Sequence, residues 1–165
     1  MIREVLVHPD PRLKQVARPV EPHERDLATR IAGDLVDTMR GGPRTVGVAA
    51  PQIGELVRLV VVDCSTHPKT TVQHGMLALV NPVVVGADGS EIGREGCLSI
   101  PEITANVRRA THITVEATDP QGTPLRITTE GFEARALLHE IDHLDGVLIL
   151  DRVASLATDV FRRKR

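Results

Sequence analysis

The sequence lacks features that several classes of protein require. It has no Trp, no Tyr and only two Phe, so it offers few aromatic faces on which the bases of a single-stranded nucleic acid could stack. Its formal net charge of -2 at pH 7 provides no basic footprint for a nucleic-acid backbone. We therefore expect no specific nucleic-acid ligand, and a core built from Val, Leu, Ile and Ala.

Cysteines and long apolar runs are also scarce. The two cysteines, Cys64 and Cys97, are too few for the disulfide framework of a small secreted protein. No segment approaches the roughly 20 apolar residues that a membrane-spanning helix needs, and the charged N-terminal segment is unlike a signal peptide. We expect a cytoplasmic protein with no membrane partner. Its length of 165 residues predicts a single domain over residues 1–165.

Residues 131–146, GFEARALLHEIDHLDG, contain the pattern His-Glu-x-x-His at His139, Glu140 and His143. Positions four apart share one face of a helix, so the two imidazoles can point at one metal ion. Glu140 would project beside that ion and could act on a water without being a ligand. Gly146 is a suitable left-handed stop. Apolar residues recur at helical steps on the other side, at Ala134, Leu137, Leu138, Ile141, Leu144 and Leu148. The segment predicts a helix between the core and a metal site.

The rest of the chain combines helical and extended patterns. Prolines make residues 1–21 an irregular or extended arm, and residues 22–40 have the spacing of an amphipathic helix that begins at Pro22. The other predicted elements are a loop at 45–54, buried strands at 57–62 and 77–85, a loop at 86–93, and a hairpin with strands at 113–118 and 125–129. Because the strands precede the histidine helix instead of alternating with helices, the predicted fold class is α+β.

A third ligand is needed to hold a metal ion tightly. The candidates are the free carboxylates, Cys97, and the remaining histidines, which are His8, His23, His67, His74 and His112. Cys97 lies in the compact segment EGCLSIP, residues 95–101, whereas Cys64 ends a valine-rich strand and is expected to be an inert buried thiol. The chemistry of the residues alone leaves this choice open.

Three segments together resemble a known family. TVGVAAPQIG at residues 45–54, EGCLSIP at residues 95–101 and HEIDHLDG at residues 139–146 look like the three signature motifs of the peptide deformylases, in the same order and with similar spacing. The likeness covers nearly the whole chain, including VLVHPDPRLKQVARPV at residues 5–20. It implies an α+β fold in which antiparallel or mixed sheets pack around a central helix that carries the metal-binding histidines.

The resemblance also implies roles for individual residues. The implied metal ligands are Cys97, His139 and His143. The implied catalytic carboxylate is Glu140, and the implied formyl-binding groups are the Gln52 side chain and the backbone N–H of Leu98. The implied pocket for the methionine side chain is lined by Val46, Gly47, Phe132 and Ala136, next to His139. The implied metal is Fe²⁺, with Zn²⁺, Ni²⁺ or Co²⁺ able to occupy the same site.

The implied reaction is hydrolytic removal of the formyl group from the N-terminal formylmethionine of newly made polypeptides, with release of formate. We also expect Glu95 and Arg109 to form an ion pair that anchors the EGCLSIP segment. Asp142 is a candidate partner for a ligand histidine, although an exposed helix carboxylate is the favoured alternative. The basic tail FRRKR, residues 161–165, suggests a transient contact with ribosomal RNA, since the implied substrate emerges from ribosomes.

The sequence departs from the usual pattern of the family at three positions. Thr45 stands where the first motif usually has glycine, Val48 where it usually has leucine, and Leu138 where glutamine usually precedes the first histidine. If that glycine provides a positive φ, a β-branched Thr45 requires a different loop shape. None of the three is an implied ligand, so we expect the metal chemistry to remain and any effect to fall on rate and substrate preference.

Three alternative functions are considered. A peptidase of the broad His-Glu-x-x-His type would lack the segments at 45–54 and 95–101. A homologue that binds metal or a partner without catalysis is disfavoured by the intact Glu140. A deformylase that acts on a formylated small molecule fits nearly as well as the peptide enzyme, because the departures cluster near the substrate loop.

Overall fold

The structure, a computed structural model, describes residues 1–42 and 44–163. The helices are α1 Arg25–Gly41, α2 Gly131–Leu144 and α3 Ile149–Arg152, with two 3₁₀ turns at Pro11–Lys14 and Ala50–Ile53. The strands are β1 Gly47–Ala49, β2 Leu59–Asp63, β3 Met76–Asp88, β4 Glu91–Cys97, β5 Ile100–Arg109, β6 His112–Thr118, β7 Pro124–Glu130 and β8 Val160–Arg162.

The strands form two sheets. One has five strands in the order β1-β2-β3-β6-β7, and the other has three in the order β4-β5-β8. Each neighbouring pair is antiparallel, and an isolated parallel bridge joins Arg18 to Val57. The predicted α+β class with antiparallel sheets is confirmed. Strands β1 and β4 are terminal strands of their sheets, which matters for the site described below.

The five-stranded sheet lies between the two long helices. Alternate residues of a strand point to opposite faces, and in β2 Leu59 and Val61 join a core cluster with Ile31 of α1, while Val60 joins a second cluster with Leu137 of α2. This is why the valine run of β2 is buried on both faces. A third cluster packs the three-stranded sheet against the N-terminal arm and α3.

Several predicted elements are confirmed. Strands β6 and β7 form the expected hairpin, in which Ala117 pairs with Leu125, and the turn is closed by a 2.9 Å hydrogen bond from Gly122 N–H to Asp119 O. Helix α2 carries the His-Glu-x-x-His pattern, and Gly146 follows it with a φ of 71°. No helix within residues 1–42 and 44–163 combines the length and the apolar character needed to cross a membrane.

The predicted start of one helix and two predicted loops were wrong. Helix α1 begins at Arg25 and not at Pro22, because Glu24 N–H bonds to Glu21 O and forms a turn first. The segment 45–54 is not a loop throughout, since β1 pairs with β2 and a 3₁₀ turn follows. The segment 86–93 is also not a loop, because β3 continues to Asp88 and β4 starts two residues after Gly89, whose φ is 72°.

Candidate metal centre

Three side chains from two parts of the fold meet at one point. Cys97 ends β4 in the three-stranded sheet, and His139 and His143 lie one turn apart in α2. Their candidate ligand atoms all lie within 4.8 Å of one another, and Cys97 Sγ is 3.4 Å from His143 Nε2. Within the described residues, no other group of three His, Cys, Asp or Glu side chains meets in this way. One thiolate and two imidazoles are a donor set used by catalytic metal sites, so these residues could hold a metal ion.

The surroundings of the two histidines shift their pKa values in opposite directions. Burial, reinforced by the charges of His139 and Arg109, holds the pKa of His143 well below its usual range, so its imidazole is neutral as a ligand must be. Burial would also lower the pKa of His139, but hydrogen bonds with Cys97 and Glu95 outweigh it and raise that pKa. Glu95 Oε1 lies 2.9 Å from His139 Nδ1, which orients the ring and leaves Nε2 for the cluster.

Glu95 is the centre of a buried charge network. Arg109 donates to both oxygens of Glu95 at 2.9 and 3.0 Å, and Arg135 donates to Oε2 at 2.7 Å. Burial alone would raise the pKa of Glu95, but hydrogen bonds from His139 and Arg109 outweigh it and lower the pKa to about 2. The ion pair of Glu95 and Arg109 thus lies as expected and anchors the strand that carries Cys97.

Asp142 was a candidate partner for a ligand histidine, with an exposed helix carboxylate as the favoured alternative, and the favoured alternative was wrong. It is buried, and it accepts a 2.5 Å hydrogen bond from Arg109 and bonds of 2.8 and 3.0 Å from Arg152. Asp142 therefore neutralises the buried guanidinium of Arg109 and supports Glu95 through it. Neither Arg135 nor Arg152 stood out in the sequence, where each looked like an ordinary charged residue next to apolar ones.

Glu140 lies beside the three candidate ligands with an unusual environment. It is 5% exposed, and no hydrogen-bond donor among the described residues reaches its buried Oε1. Burial raises the pKa of Glu140 to about 7, against the opposing charge of His139. A Cβ atom on Gly47 would lie 2.7 Å from Glu140 Oε2, so a larger residue at this point of β1 would require the carboxylate to shift. An orphaned carboxylate oxygen next to a Cys-His-His cluster fits a site that holds a metal ion and its water.

Gln52 is fully enclosed and its amide is oriented by two contacts. Its Oε1 accepts from Ala49 N–H at 2.9 Å, and its Nε2 donates to Ser99 Oγ at 3.0 Å and lies 3.8 Å from Cys97 Sγ. Leu98, next to Cys97 in the turn between β4 and β5, packs its side chain against the core cluster of α1. Sequence reasoning missed Ser99, although its place two residues after Cys97 in the same short motif could have suggested it.

The residues expected to line the methionine pocket, Val46, Gly47, Phe132 and Ala136, remain a prediction. Val46 and Phe132 pack against the core cluster that contains Ala136. Val46 also lines a cavity of about 730 Å³. The residues that line it are Met39, Arg40, Gly42, Arg44, Thr45, Val46, Asp63, Thr66, His67, Pro68 and Lys69.

The three departures from the family pattern have simple places in the structure. Thr45 does not take a positive φ; the neighbouring Arg44 does, at 58°, so the loop turns one residue earlier. Val48 is fully buried in the core cluster of α1. Leu138 packs, half-buried, against the core cluster of α2.

Comparison with known proteins agrees with this geometry. The sequence model of the family described as polypeptide deformylase matches residues 2–159. This chain belongs to the peptide deformylase family. A deformylase of Thermodesulfovibrio yellowstonii is 37% identical over 163 residues, covering 99% of this chain and 96% of its relative. The resemblance found in the sequence is therefore confirmed, and the protein is an enzyme of a metallohydrolase family.

Solved deformylase structures have the same fold. The crystal structure of a peptide deformylase from Legionella pneumophila has 43% identity and a TM-score of 0.83, covering 94% of this chain and 88% of that one. A deformylase of Acinetobacter baumannii, class I type b, was solved with Met-Ala-Ser bound; it has 32% identity and a TM-score of 0.83, covering 92% of this chain and 99% of that one.

Proposed function

We infer that this protein hydrolyses the formyl amide at the N-terminal methionine of newly made polypeptides and releases formate. The observation that carries this inference is the meeting of Cys97, His139 and His143 beside Glu140 in a chain of the deformylase family. We further propose that residues 1–165 form one catalytic domain that acts in the cytoplasm.

Cys97, His139 and His143 would hold the metal ion. A thiolate with two imidazoles suits Fe²⁺, Zn²⁺, Ni²⁺ and Co²⁺, and we propose Fe²⁺ as the native ion. When bound there, the ion supplies Lewis acidity, which lowers the pKa of water and polarises a carbonyl group. The protein contributes the rigid donor geometry, because Glu95 holds the His139 ring and a network of arginines holds Glu95.

Glu140 would take a proton from the attacking water and later give it to the leaving amine. Its Oε1 is buried and receives no hydrogen bond from the described residues, so it can accept one from a water molecule. A carboxyl group with a pKa of about 7 can both accept and return a proton near neutral pH. Burial also keeps bulk water from competing with the bound reactants.

Gln52 and Leu98 would stabilise the negative charge that develops on the formyl oxygen as water adds. The Gln52 amide is held by Ala49 N–H and Ser99, so its Nε2 faces the cluster from a fixed position. The backbone N–H of Leu98 would be the second donor. Each donor in a comparable oxyanion hole lowers the barrier by about 3 kcal/mol.

The positions of two strands favour a peptide substrate over a small formylated molecule. Strand β1 is an edge strand of its sheet and passes beside Glu140. Strand β4 is an edge strand of the other sheet and its last residue is Cys97, so both strands flank the cluster. Terminal strands can pair with an extended peptide through backbone hydrogen bonds. Val46, Gly47, Phe132 and Ala136 would then surround the methionine side chain, in keeping with the tripeptide bound to the Acinetobacter relative.

The deciding experiment is anaerobic turnover of formyl-Met-Ala-Ser by the Fe²⁺-loaded protein, with formate release as the readout. Acetyl-Met-Ala-Ser and the Glu140→Gln variant are the controls, and metal content is measured for each protein. Rapid formate release that requires both the formyl group and Glu140 supports the proposal. No release from protein with stoichiometric metal refutes it, and turnover of formylated small molecules would then be measured with the same assay.

A transient ribosome contact through the basic tail is a further proposal. Arg162 and Arg163 belong to the described residues, whereas Lys164 and Arg165 of the tail lie outside them. Cosedimentation with ribosomes should weaken when residues 162–165 are deleted, and unchanged cosedimentation would remove this proposal.

A further inference from the structure

The loop between β2 and β3, residues 64–75, is attached to helix α2 at two points. The ring of His67 stacks on Phe132 with a centroid separation of 3.9 Å and an interplanar angle of 8°. At the other end, His74 pairs through its backbone N–H and its Nδ1 with the fully buried Glu133, at 2.7 and 2.5 Å. Parallel rings at this separation cover one another's faces, so the loop holds His67 against the helix.

Phe132 connects this loop to the candidate active site. It lies two turns before His139 in α2, with Ala136 between them on the same side of the helix. Val46, the residue before Gly47, packs with Phe132 against the core cluster that contains Ala136. Val46 and His67 both line the cavity of about 730 Å³. The His67 ring therefore stands where the apolar surface around Phe132 meets this large cavity.

The backbone of the loop fixes the His67 ring. Lys69 N–H donates to His67 Nδ1 at 3.2 Å, so that nitrogen carries no proton and the neutral ring has its proton on Nε2. Hydrogen bonds from His67 N–H to Cys64 O and from Thr70 N–H to His67 O, at 3.2 and 3.1 Å, hold the adjoining backbone. Burial, and then the charge of Lys69, lowers the pKa of His67, in agreement with a neutral ring. A flat uncharged ring is suited to contact an apolar side chain.

We propose that His67 is a specificity-determining residue, whose ring, stacked on Phe132, closes the pocket for the first side chain of the substrate and favours methionine over larger side chains. This inference rests on the proposed function and deepens it. Without the ring, the pocket would open into the adjoining cavity and a larger side chain would be accepted. A difference of this size in an apolar pocket changes discrimination by about tenfold.

Two substitutions separate the ring from the anchoring of the loop. His67→Asn keeps an acceptor near the position of Nδ1 and removes the ring, whereas His67→Phe keeps a ring and removes the acceptor. The measured quantity is the kcat/KM for formyl-Phe-Ala-Ser divided by that for formyl-Met-Ala-Ser. Calorimetric titration of the same proteins with Phe-Ala-Ser and Met-Ala-Ser measures the same preference without turnover. Pro68→Ala, in the same cavity wall, is the matched control.

For His67→Asn, the preference for the Phe peptide over the Met peptide should rise about tenfold, both in kcat/KM and in binding. His67→Phe and Pro68→Ala should keep a preference close to that of the unmodified protein. An unchanged preference in His67→Asn, or an equal rise in His67→Asn and His67→Phe, overturns the inference. If the unmodified protein releases no formate, the proposed function fails on its own, and the binding ratios still decide whether His67 selects the first side chain.

Discussion

Gly47 lies so close to Glu140 that a Cβ atom on the glycine would be 2.7 Å from Glu140 Oε2. The backbone of β1 is paired with β2 at this point and cannot retreat freely, so the carboxylate would have to move. A side chain at position 47 thus acts directly on the position of the proposed proton acceptor.

Gly47→Ala should lower kcat for formyl-Met-Ala-Ser by about 100-fold while metal content stays stoichiometric, because a displaced catalytic group loses its alignment with the reacting atoms. Kinetics and metal analysis of the same preparation provide the measurement. The matched control is Gly33→Ala in helix α1, where an added Cβ meets nothing within 4 Å. That control should keep full activity. Equal activity of the two variants would contradict the prediction.

Glu95→Gln should weaken both folding and metal binding. The substitution leaves the buried Arg109 with Asp142 as its remaining charged partner, and the loss of one partner from a buried pair costs about 3 kcal/mol of unfolding free energy. It also loosens the orientation of His139, which should reduce metal affinity by about 10- to 100-fold. Denaturant unfolding and competition with a chelator measure the two effects.

The control for that prediction is Glu130→Gln, which removes a half-exposed carboxylate 2.9 Å from the His112 imidazole. Such surface pairs contribute less than about 1 kcal/mol, so this variant should unfold and bind metal like the unmodified protein. If Glu95→Gln behaved like this control, the buried network would have no role in holding the ligand histidine.

Cys64 should resist alkylation in the folded protein. It is fully buried, and burial, followed by the nearby charge of Glu133, raises the pKa of its thiol to about 12, so almost no thiolate forms at pH 8. Iodoacetamide treatment followed by peptide mass spectrometry should leave Cys64 unmodified in native protein and modify it fully in guanidinium. An adduct on Cys64 in the native sample would disprove this.

Glu24 should titrate far below an ordinary glutamate. Hydrogen bonds from the Arg18 guanidinium, and then from the backbone of Glu21, lower its pKa from 4.5 to about 2. Because the folded pKa lies below the unfolded one, the contribution of this pair is complete above about pH 4.5 and is lost as the pH falls toward 2. Carboxyl-detected NMR titration should show this, and Arg18→Ala should return Glu24 to its ordinary range. Arg30→Ala, elsewhere on α1, should leave the titration unchanged.

The sequence predicted elements whose patterns are local. The histidine helix has a clear 3.6-residue period and a stop at Gly146, and the hairpin from Ile113 onward alternates apolar and polar residues around a strong turn. The ligand set came from the order of three motifs and not from the chemistry of Cys97 itself. That order could be read from the sequence because the family's motifs are specific.

The missed features depend on contacts between distant residues. Strand β1 has only three residues, and nothing in its composition distinguishes it from a loop until β2 is placed beside it. Strand β5 contains Pro101 and the charged residues Glu102, Arg108 and Arg109, which hide its pairing with β4. Asp142 looks exposed in a helix pattern and becomes buried only because Arg109 and Arg152 arrive from other elements.

The proposed ligands come from both sheets, since Cys97 ends a strand of the smaller sheet while the two histidines project from the helix packed on the larger one. An ion held by all three would act as a cross-link between distant parts of the chain, because Cys97 and His143 are 46 residues apart in sequence. Binding that is restricted to the folded state raises the unfolding free energy in step with metal concentration. The same ion would then hold the smaller sheet against helix α2. Chelation should make the contact between these two parts accessible to proteases before the rest of the fold.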